Sequence, residues 1–109
     1  MSIEEYFGDW IKVIDRTELN KVMNILNNEY SRFPVFPYKK DVFRAFKLCP
    51  LDNLKVVLIS QDPYPDRYGN KPRATGIAFA NNSEIPEEKW SPSLKILKHS
   101  VINLDIPHN

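Results

Sequence analysis

The first half of the chain has the hydrophobic periodicity of helices. Apolar side chains recur every three or four positions over residues 3–14, which is the spacing of one helix face. The same spacing after a candidate N-cap at Thr17 predicts a second helix up to about residue 30. A proline-rich run at 33–37 predicts an extended connector, and residues 39–48 predict a short third helix that buries Val42, Phe43 and Phe46.

A nearly continuous apolar run at residues 55–60 predicts a buried strand of the parallel type. The run stops abruptly at Gln61 and Asp62, and Pro63 cannot continue a hydrogen-bonded ladder. Ligands of open α/β sheets lie beyond the carboxyl ends of such strands, so this turn is a candidate site. The alternative is that Asp62 and Pro63 only form a turn, since both residue types favour turns for local reasons.

The second half of the chain predicts loops, one weak strand and one helix. Residues 63–75 are rich in turn formers, residues 76–80 predict a short extended piece, and residues 81–90 predict another loop. Ser91 is the expected N-cap of a helix with Pro92 at its first position. On this helix we expect an inward face that consists of Leu94, Leu97 and Val101.

One strong strand and one weak strand do not make a sheet that helices can cover on both faces. With 109 residues the chain has the length of one modest domain. The prediction is therefore a single incomplete α/β domain, residues 1–109, which holds helices and the first parallel strand or strands of a central sheet.

Composition argues against DNA binding through the net charge of the whole chain and against a membrane-spanning segment. Net charge is +1, from 15 basic and 14 acidic side chains, so any contact with DNA depends on a local cluster rather than a global field. Arg67, Lys71 and Arg73 form such a cluster, and a solvated loop is an equally good interpretation. No apolar run has membrane-spanning length.

Cysteine and histidine are scarce. A lone Cys49 makes no internal disulfide, and without an export signal we expect a cytoplasmic protein. One cysteine with His99 and His108 does not supply a usual closed zinc site, and both histidines are interpreted as surface residues. We expect no metal and no membrane partner.

Residues 60–65, Ser-Gln-Asp-Pro-Tyr-Pro, resemble the water-activating motif Gly-Gln-Asp-Pro-Tyr-His of uracil-DNA glycosylases. The segment 36–46 is similar to the part of the family that precedes this motif. Residues 76–79, Gly-Ile-Ala-Phe, are similar to its Gly-Leu-x-Phe, and residues 91–94, Ser-Pro-Ser-Leu, to its Pro-Pro-Ser-Leu. The order is the same, and the resemblance runs from about residue 10 to the C-terminus.

The resemblance implies a partial three-layer α/β/α fold and the hydrolysis of the bond between uracil and deoxyribose in DNA, without a cofactor. It implies that Asp62 is the catalytic carboxylate and that Gln61, Tyr64 and Phe79 bind uracil. It implies that Ser93 binds a DNA phosphate. The alternatives from the residues alone are a turn for Asp62, a core ring for Phe79 and simple helix capping near Ser93.

The chain departs from the family pattern in the first motif and in the segments that it lacks. Ser60 and Pro65 replace the glycine and histidine of the first motif. The family's later asparagine-bearing strand and its His-Pro-Ser-Pro-Leu-Ser motif do not occur in these 109 residues. We therefore expect the N-terminal portion of a glycosylase with little activity alone, whose exposed core is covered by a C-terminal segment or by self-association. The competing interpretation is a non-catalytic DNA- or protein-binding module derived from the same fold.

Overall fold

The computed structural model describes residues 1–102, about half of which are helical. The α-helices are α1 (Ile3–Phe7), α2 (Arg16–Arg32), α3 (Arg44–Leu48) and α4 (Pro92–Ile102). Short 3₁₀ helices span Gly8–Lys12, Lys39–Asp41, Leu51–Asn53 and Glu87–Lys89. Strands β1 (Arg67–Tyr68) and β2 (Lys71–Pro72) pair antiparallel. The described residues thus agree with a partial α/β chain, and none of their helices is long and apolar enough to cross a bilayer.

The two N-terminal helices form where the periodicity predicts them, but with different ends. Gly8 has φ 57°, a left-handed conformation that ends α1 at Phe7, so the expected helix over residues 3–14 continues only as a 3₁₀ helix. Helix α2 is capped by Asp15, whose carboxylate accepts the Glu18 N–H at 3.1 Å. The prediction of Thr17 as the cap was wrong, because the preceding aspartate already satisfies the first free N–H groups.

Aromatic rings hold α1 against α3. The helix predicted over residues 39–48 is divided at Phe43, where ψ is 22°, into a 3₁₀ helix and α3. The Phe7 ring is buried and meets those of Phe43 and Phe46 edge-on at 5.4 and 5.5 Å. Trp10 packs on Phe46 at 5.0 Å. These edge-to-face ring contacts form the principal core of the N-terminal part.

Helix α4 begins at the predicted residue, but the face that was predicted to be buried is largely exposed. Ser91 is its cap, since the Leu94 N–H donates to the Ser91 hydroxyl oxygen at 3.2 Å, and Pro92 is its first residue. The inward face was predicted wrongly, because Leu97 and Val101 remain 41% and 45% exposed. The described residues offer no element that covers this face of the helix.

The predicted strand at residues 55–60 does not form. No backbone hydrogen bond of the described residues involves this segment, and its apolar side chains are 60–87% exposed: Val56, Val57, Leu58 and Ile59. A strand gains its stability from paired neighbours and a buried face, and the described residues supply neither. The radius of gyration, 16.0 Å, also exceeds the roughly 13 Å of a compact domain of this length.

The loop predicted over residues 63–75 contains the hairpin β1–β2, which the sequence analysis missed. Its turn includes Gly69 at φ 62°. The extended piece predicted at residues 76–80 was also wrong, since the Ala80 N–H donates to the Ile77 carbonyl at 3.2 Å in a turn. The apolar residues 77–80 have no partner strand among the described residues, so a turn replaces the predicted strand.

Gly76 connects this turn to the helical part of the chain. Its φ is 87°, and a Cβ atom added there would lie 1.9 Å from the Asp41 carbonyl oxygen. The same added atom would lie 3.2 Å from Cβ of Arg44 at the start of α3. Only glycine allows the two backbones to approach this closely.

We expect Gly76→Ala to lower the free energy of unfolding by about 3 kcal/mol, because it adds a backbone clash to a left-handed φ. Gly69→Ala is the matched control, since Gly69 has φ 62° with no atom within 4 Å of an added Cβ. It should cost only about 1 kcal/mol. Urea unfolding followed by circular dichroism measures both, and equal losses would contradict the close approach at Gly76.

Candidate active site

A cavity of about 670 Å³ lies between four parts of the chain. These are residues 37–45, residues 58–64, residues 74–79 and the first turn of α4. Its lining includes all five residues that the sequence analysis selected: Gln61, Asp62, Tyr64, Phe79 and Ser93. Residues that are up to 32 positions apart in the sequence therefore meet at one cavity, while the role of each stays a prediction.

The lining of the cavity combines polar and aromatic groups. Gln61, Asp62 and, from α4, Ser93 are exposed, whereas the aromatic residues Tyr64 and Phe79 are half-buried. A concave site with aromatic rings and a few polar groups suits a flat ligand with a hydrogen-bonding edge.

The two aromatic walls are joined by a hydrogen bond. The Tyr64 hydroxyl donates to the Phe79 carbonyl at 3.0 Å and accepts from the Ser91 hydroxyl at 2.8 Å. Phe79 has φ 65°, which is rare for a residue with a side chain. Residues held in such conformations concentrate at functional sites, because the surrounding contacts must offset the strain.

The chain is similar to curated uracil-DNA glycosylases. The enzyme of Mesomycoplasma hyopneumoniae is 39% identical over 97 residues, which cover 89% of this chain and 39% of that protein. The enzyme of Fusobacterium nucleatum is 35% identical over 109 residues, 94% of this chain and 45% of that protein. The chain belongs to the uracil-DNA glycosylase family. It spans less than half of the length of these relatives.

No protein-family model and no solved structure matches the chain. Membership of the glycosylase family therefore depends on the sequence similarity to full-length relatives. The Lactobacillus helveticus uracil-DNA glycosylase adds a third example, 36% identical over 99 residues that cover 87% of this chain and 40% of that protein.

Asn81 is the principal site residue that the sequence analysis missed. Its side-chain oxygen accepts from the Ser91 N–H at 2.9 Å and from the Arg73 guanidinium at 2.8 Å. Its side-chain nitrogen donates to the Phe79 carbonyl and to the Ser91 hydroxyl oxygen, both at 3.2 Å. An asparagine two residues after the family's stacking phenylalanine was the available signal, because short amide side chains bond to nearby backbone groups in turns.

The side chains of the basic cluster contact other residues of this chain. The Arg67 guanidinium lies 5.0 Å over the ring of Phe36, and Lys71 forms an ion pair with Glu84. Arg73 forms an ion pair at 2.8 Å with an aspartate of the hairpin. These contacts favour a structural role for the cluster over the phosphate-binding alternative.

Other titratable groups do not contribute to this cavity. Among residues 1–102 no group of three or more His, Cys, Asp or Glu side chains lies close enough to hold a metal. His99 is exposed on α4, and His108 lies outside the described residues. Burial raises the pKa of Tyr6 and of Tyr30, and neither of these residues lines the cavity.

We expect Arg73→Gln to lower the free energy of unfolding by about 1–3 kcal/mol. The Arg73 side chain is 15% exposed and bonds to Asp66, Asn81 and the Lys89 carbonyl, so these partners lose charge-assisted hydrogen bonds. Lys71→Gln is the control and should cost less than about 1 kcal/mol, because both members of its ion pair are well exposed. Urea unfolding measures the stability of both variants. An Arg73→Gln variant that is as stable as the wild type would contradict the structural role of Arg73.

Proposed function

We propose that this chain supplies the water-activating carboxylate and the base-binding wall of a uracil-DNA glycosylase. The reaction is hydrolysis of the N-glycosidic bond between uracil and deoxyribose in DNA. The observation that carries the proposal is the single cavity in which Asp62, Tyr64, Phe79 and Ser93 meet, since these residues come from the separate segments that resemble the family's motifs.

Asp62 is the proposed catalytic carboxylate. As the glycosidic bond breaks, positive charge develops on the sugar and negative charge on the departing uracil. A carboxylate beside the sugar stabilises that positive charge and accepts a proton from the water that attacks the anomeric carbon. The exposed position of Asp62 on the cavity leaves room for this water.

The proposed base-binding groups act after uracil has left the duplex. Enzymes that cleave a base from DNA first turn it out of the stack and hold it in a shaped pocket. Phe79 stacks on the uracil ring, and Tyr64 occupies the space that the methyl group of thymine would need. Gln61 contributes contacts to the uracil carbonyls. Phe79 alone does not select a base, because stacking tolerates every ring.

Ser93 is proposed to bind a phosphate of the DNA backbone near the extruded nucleotide. It is exposed in the first turn of α4, where free N–H groups and the helix dipole favour an anion. Ser91 already caps this helix, so the Ser93 hydroxyl does not have to do so.

We also propose that residues 55–60 form the first parallel strand of a three-layer α/β/α fold once further polypeptide packs on them. The occupant is the polypeptide that makes up the rest of the relatives' length, more than half of each protein. Support comes from the exposed apolar side chains of this segment, whose backbone groups have no partners among the described residues. An unpaired strand of this kind attracts another strand.

The test of the chemistry uses a chimera in which this chain replaces the matching part of the Mesomycoplasma hyopneumoniae enzyme. We expect the chimera to release uracil from duplex DNA, and Asp62→Asn to slow release by a factor of about 10²–10⁴. The matched control is Asp52→Asn, because Asp52 is exposed and does not line the cavity. It should leave the rate unchanged.

Three results would count against the proposal. A folded chimera without activity would refute the glycosylase function, and full activity in the Asp62→Asn chimera would refute the role of that residue. Asp62-dependent release by the 109-residue chain alone would refute the expectation that further polypeptide is required. Salt-sensitive DNA binding without uracil preference or Asp62 dependence would favour the non-catalytic binding module instead.

The test of the strand is amide hydrogen exchange at residues 56–59. In the chain alone we expect exchange close to that of an unfolded peptide, because these amides have no backbone acceptor. In the chimera we expect exchange slower by at least about a hundredfold, since paired core strands open rarely. Slow exchange in the chain alone that depends on protein concentration would show that self-association covers the segment. Equally fast exchange in both proteins would contradict the proposed strand.

A further inference from the structure

The Ser91 hydroxyl forms three hydrogen bonds. It accepts from the Leu94 N–H and from the Asn81 amide, each at 3.2 Å, and it donates to the Tyr64 hydroxyl at 2.8 Å. Ser91 is 7% exposed. A serine hydroxyl has one proton and two acceptor positions, so all of its capacity is used. One oxygen atom therefore caps α4 and also contacts a wall of the cavity.

A second group of bonds reaches the Phe79 carbonyl. This oxygen accepts from the Tyr64 hydroxyl at 3.0 Å and from the Asn81 amide at 3.2 Å. Because Phe79 has φ 65°, its backbone is strained, and the two bonds fix its carbonyl in that conformation. Asn81 is itself fixed by Arg73, whose guanidinium donates to it at 2.8 Å.

The position of Ser91 is one at which this chain differs from the family motif. Residues 91–94 read Ser-Pro-Ser-Leu, whereas the motif quoted above reads Pro-Pro-Ser-Leu. A proline side chain has no hydroxyl and donates nothing to Tyr64. The connection between the cap of α4 and the cavity therefore depends on the serine hydroxyl at position 91.

We propose that Ser91 is a positioning residue that, together with Asn81, fixes Tyr64 and Phe79 as two walls of the cavity. The Ser91 hydroxyl orients the Tyr64 hydroxyl towards the Phe79 carbonyl. Tyr64 then stands at a fixed place and Phe79 keeps its unusual backbone. The effect on uracil recognition depends on the proposed function, whereas the effect on the two walls does not.

The first experiment measures the walls directly in the full chain. Nuclear magnetic resonance of protein labelled with ¹³C at the phenylalanine carbonyls reports the hydrogen bonds that Phe79 accepts. We expect Ser91→Ala and Tyr64→Phe each to shift the Phe79 carbonyl resonance. The shift of the double variant should be smaller than the sum of the two single shifts, because both changes disrupt the connection from Ser91 through Tyr64 to Phe79.

The matched control is Asp15→Ala, which removes the N-cap of α2 at a residue that does not line the cavity. Loss of this cap lowers the stability of the protein, but it should leave the chemical shift of the Phe79 carbonyl unchanged. Ser91→Thr keeps a hydroxyl and should restore the wild-type resonance. An unchanged Phe79 resonance in Ser91→Ala, or additive shifts in the double variant, would overturn the proposal and leave Ser91 as a helix cap only.

The second experiment measures uracil and thymine release in the chimera described above. We expect Ser91→Ala to slow uracil release by about tenfold to a hundredfold and to narrow the preference for uracil over thymine. Asp15→Ala should change neither quantity, and Ser91→Thr should recover both. Wild-type rate and preference in Ser91→Ala would overturn the role in recognition. An inactive wild-type chimera would instead refute the proposed function, and the resonance of Phe79 would still decide the positioning role.

Discussion

The cavity depends on a hydrogen-bonded network of side chains, because the chain around it has little regular structure. Between α3 and α4 the described residues form one two-stranded hairpin and short 3₁₀ helices. Backbone groups of Phe79 and Ser91, which in a sheet would pair with another strand, are here bonded by the side chains of Asn81 and Tyr64. Arg73 strengthens the far end of the network with its charge. The network can therefore hold the cavity walls without the parallel sheet.

The burial of hydrophobic side chains in this structure is incomplete. The aromatic cluster around Phe7 is a local core, while residues 56–59 and one side of α4 remain in solvent. Burying one aliphatic side chain of this size contributes about 1.5–3 kcal/mol, so covering the segment contributes several kcal/mol. That amount is comparable with the whole stability of a small domain. The fold of this chain is therefore coupled strongly to whatever covers these residues.

The sequence predicted some of the features that depend on local chemistry, although it misplaced the cap of α2 and missed the hairpin. The cap at Ser91 was correct, because capping involves residues within one turn. The strand predicted at residues 55–60 does not form among the described residues, because strand formation requires partners that they do not supply. The residues gathered at the cavity were selected by resemblance, and composition or periodicity alone would have left Asp62 as a turn. Asn81 was missed because its four hydrogen bonds are with groups 2 to 10 positions away, brought together only by the turns.

Because Ser91 belongs to both the first turn of α4 and the cavity, the two are thermodynamically linked. A ligand that immobilises Tyr64 also lowers the frequency with which the start of the helix frays, and by reciprocity an ordered helix start favours the ligand. Helix termini are among the first parts of a protein to open on heating. Selectivity at the cavity would then decline at temperatures below that of global unfolding, so the helix start makes recognition sensitive to temperature.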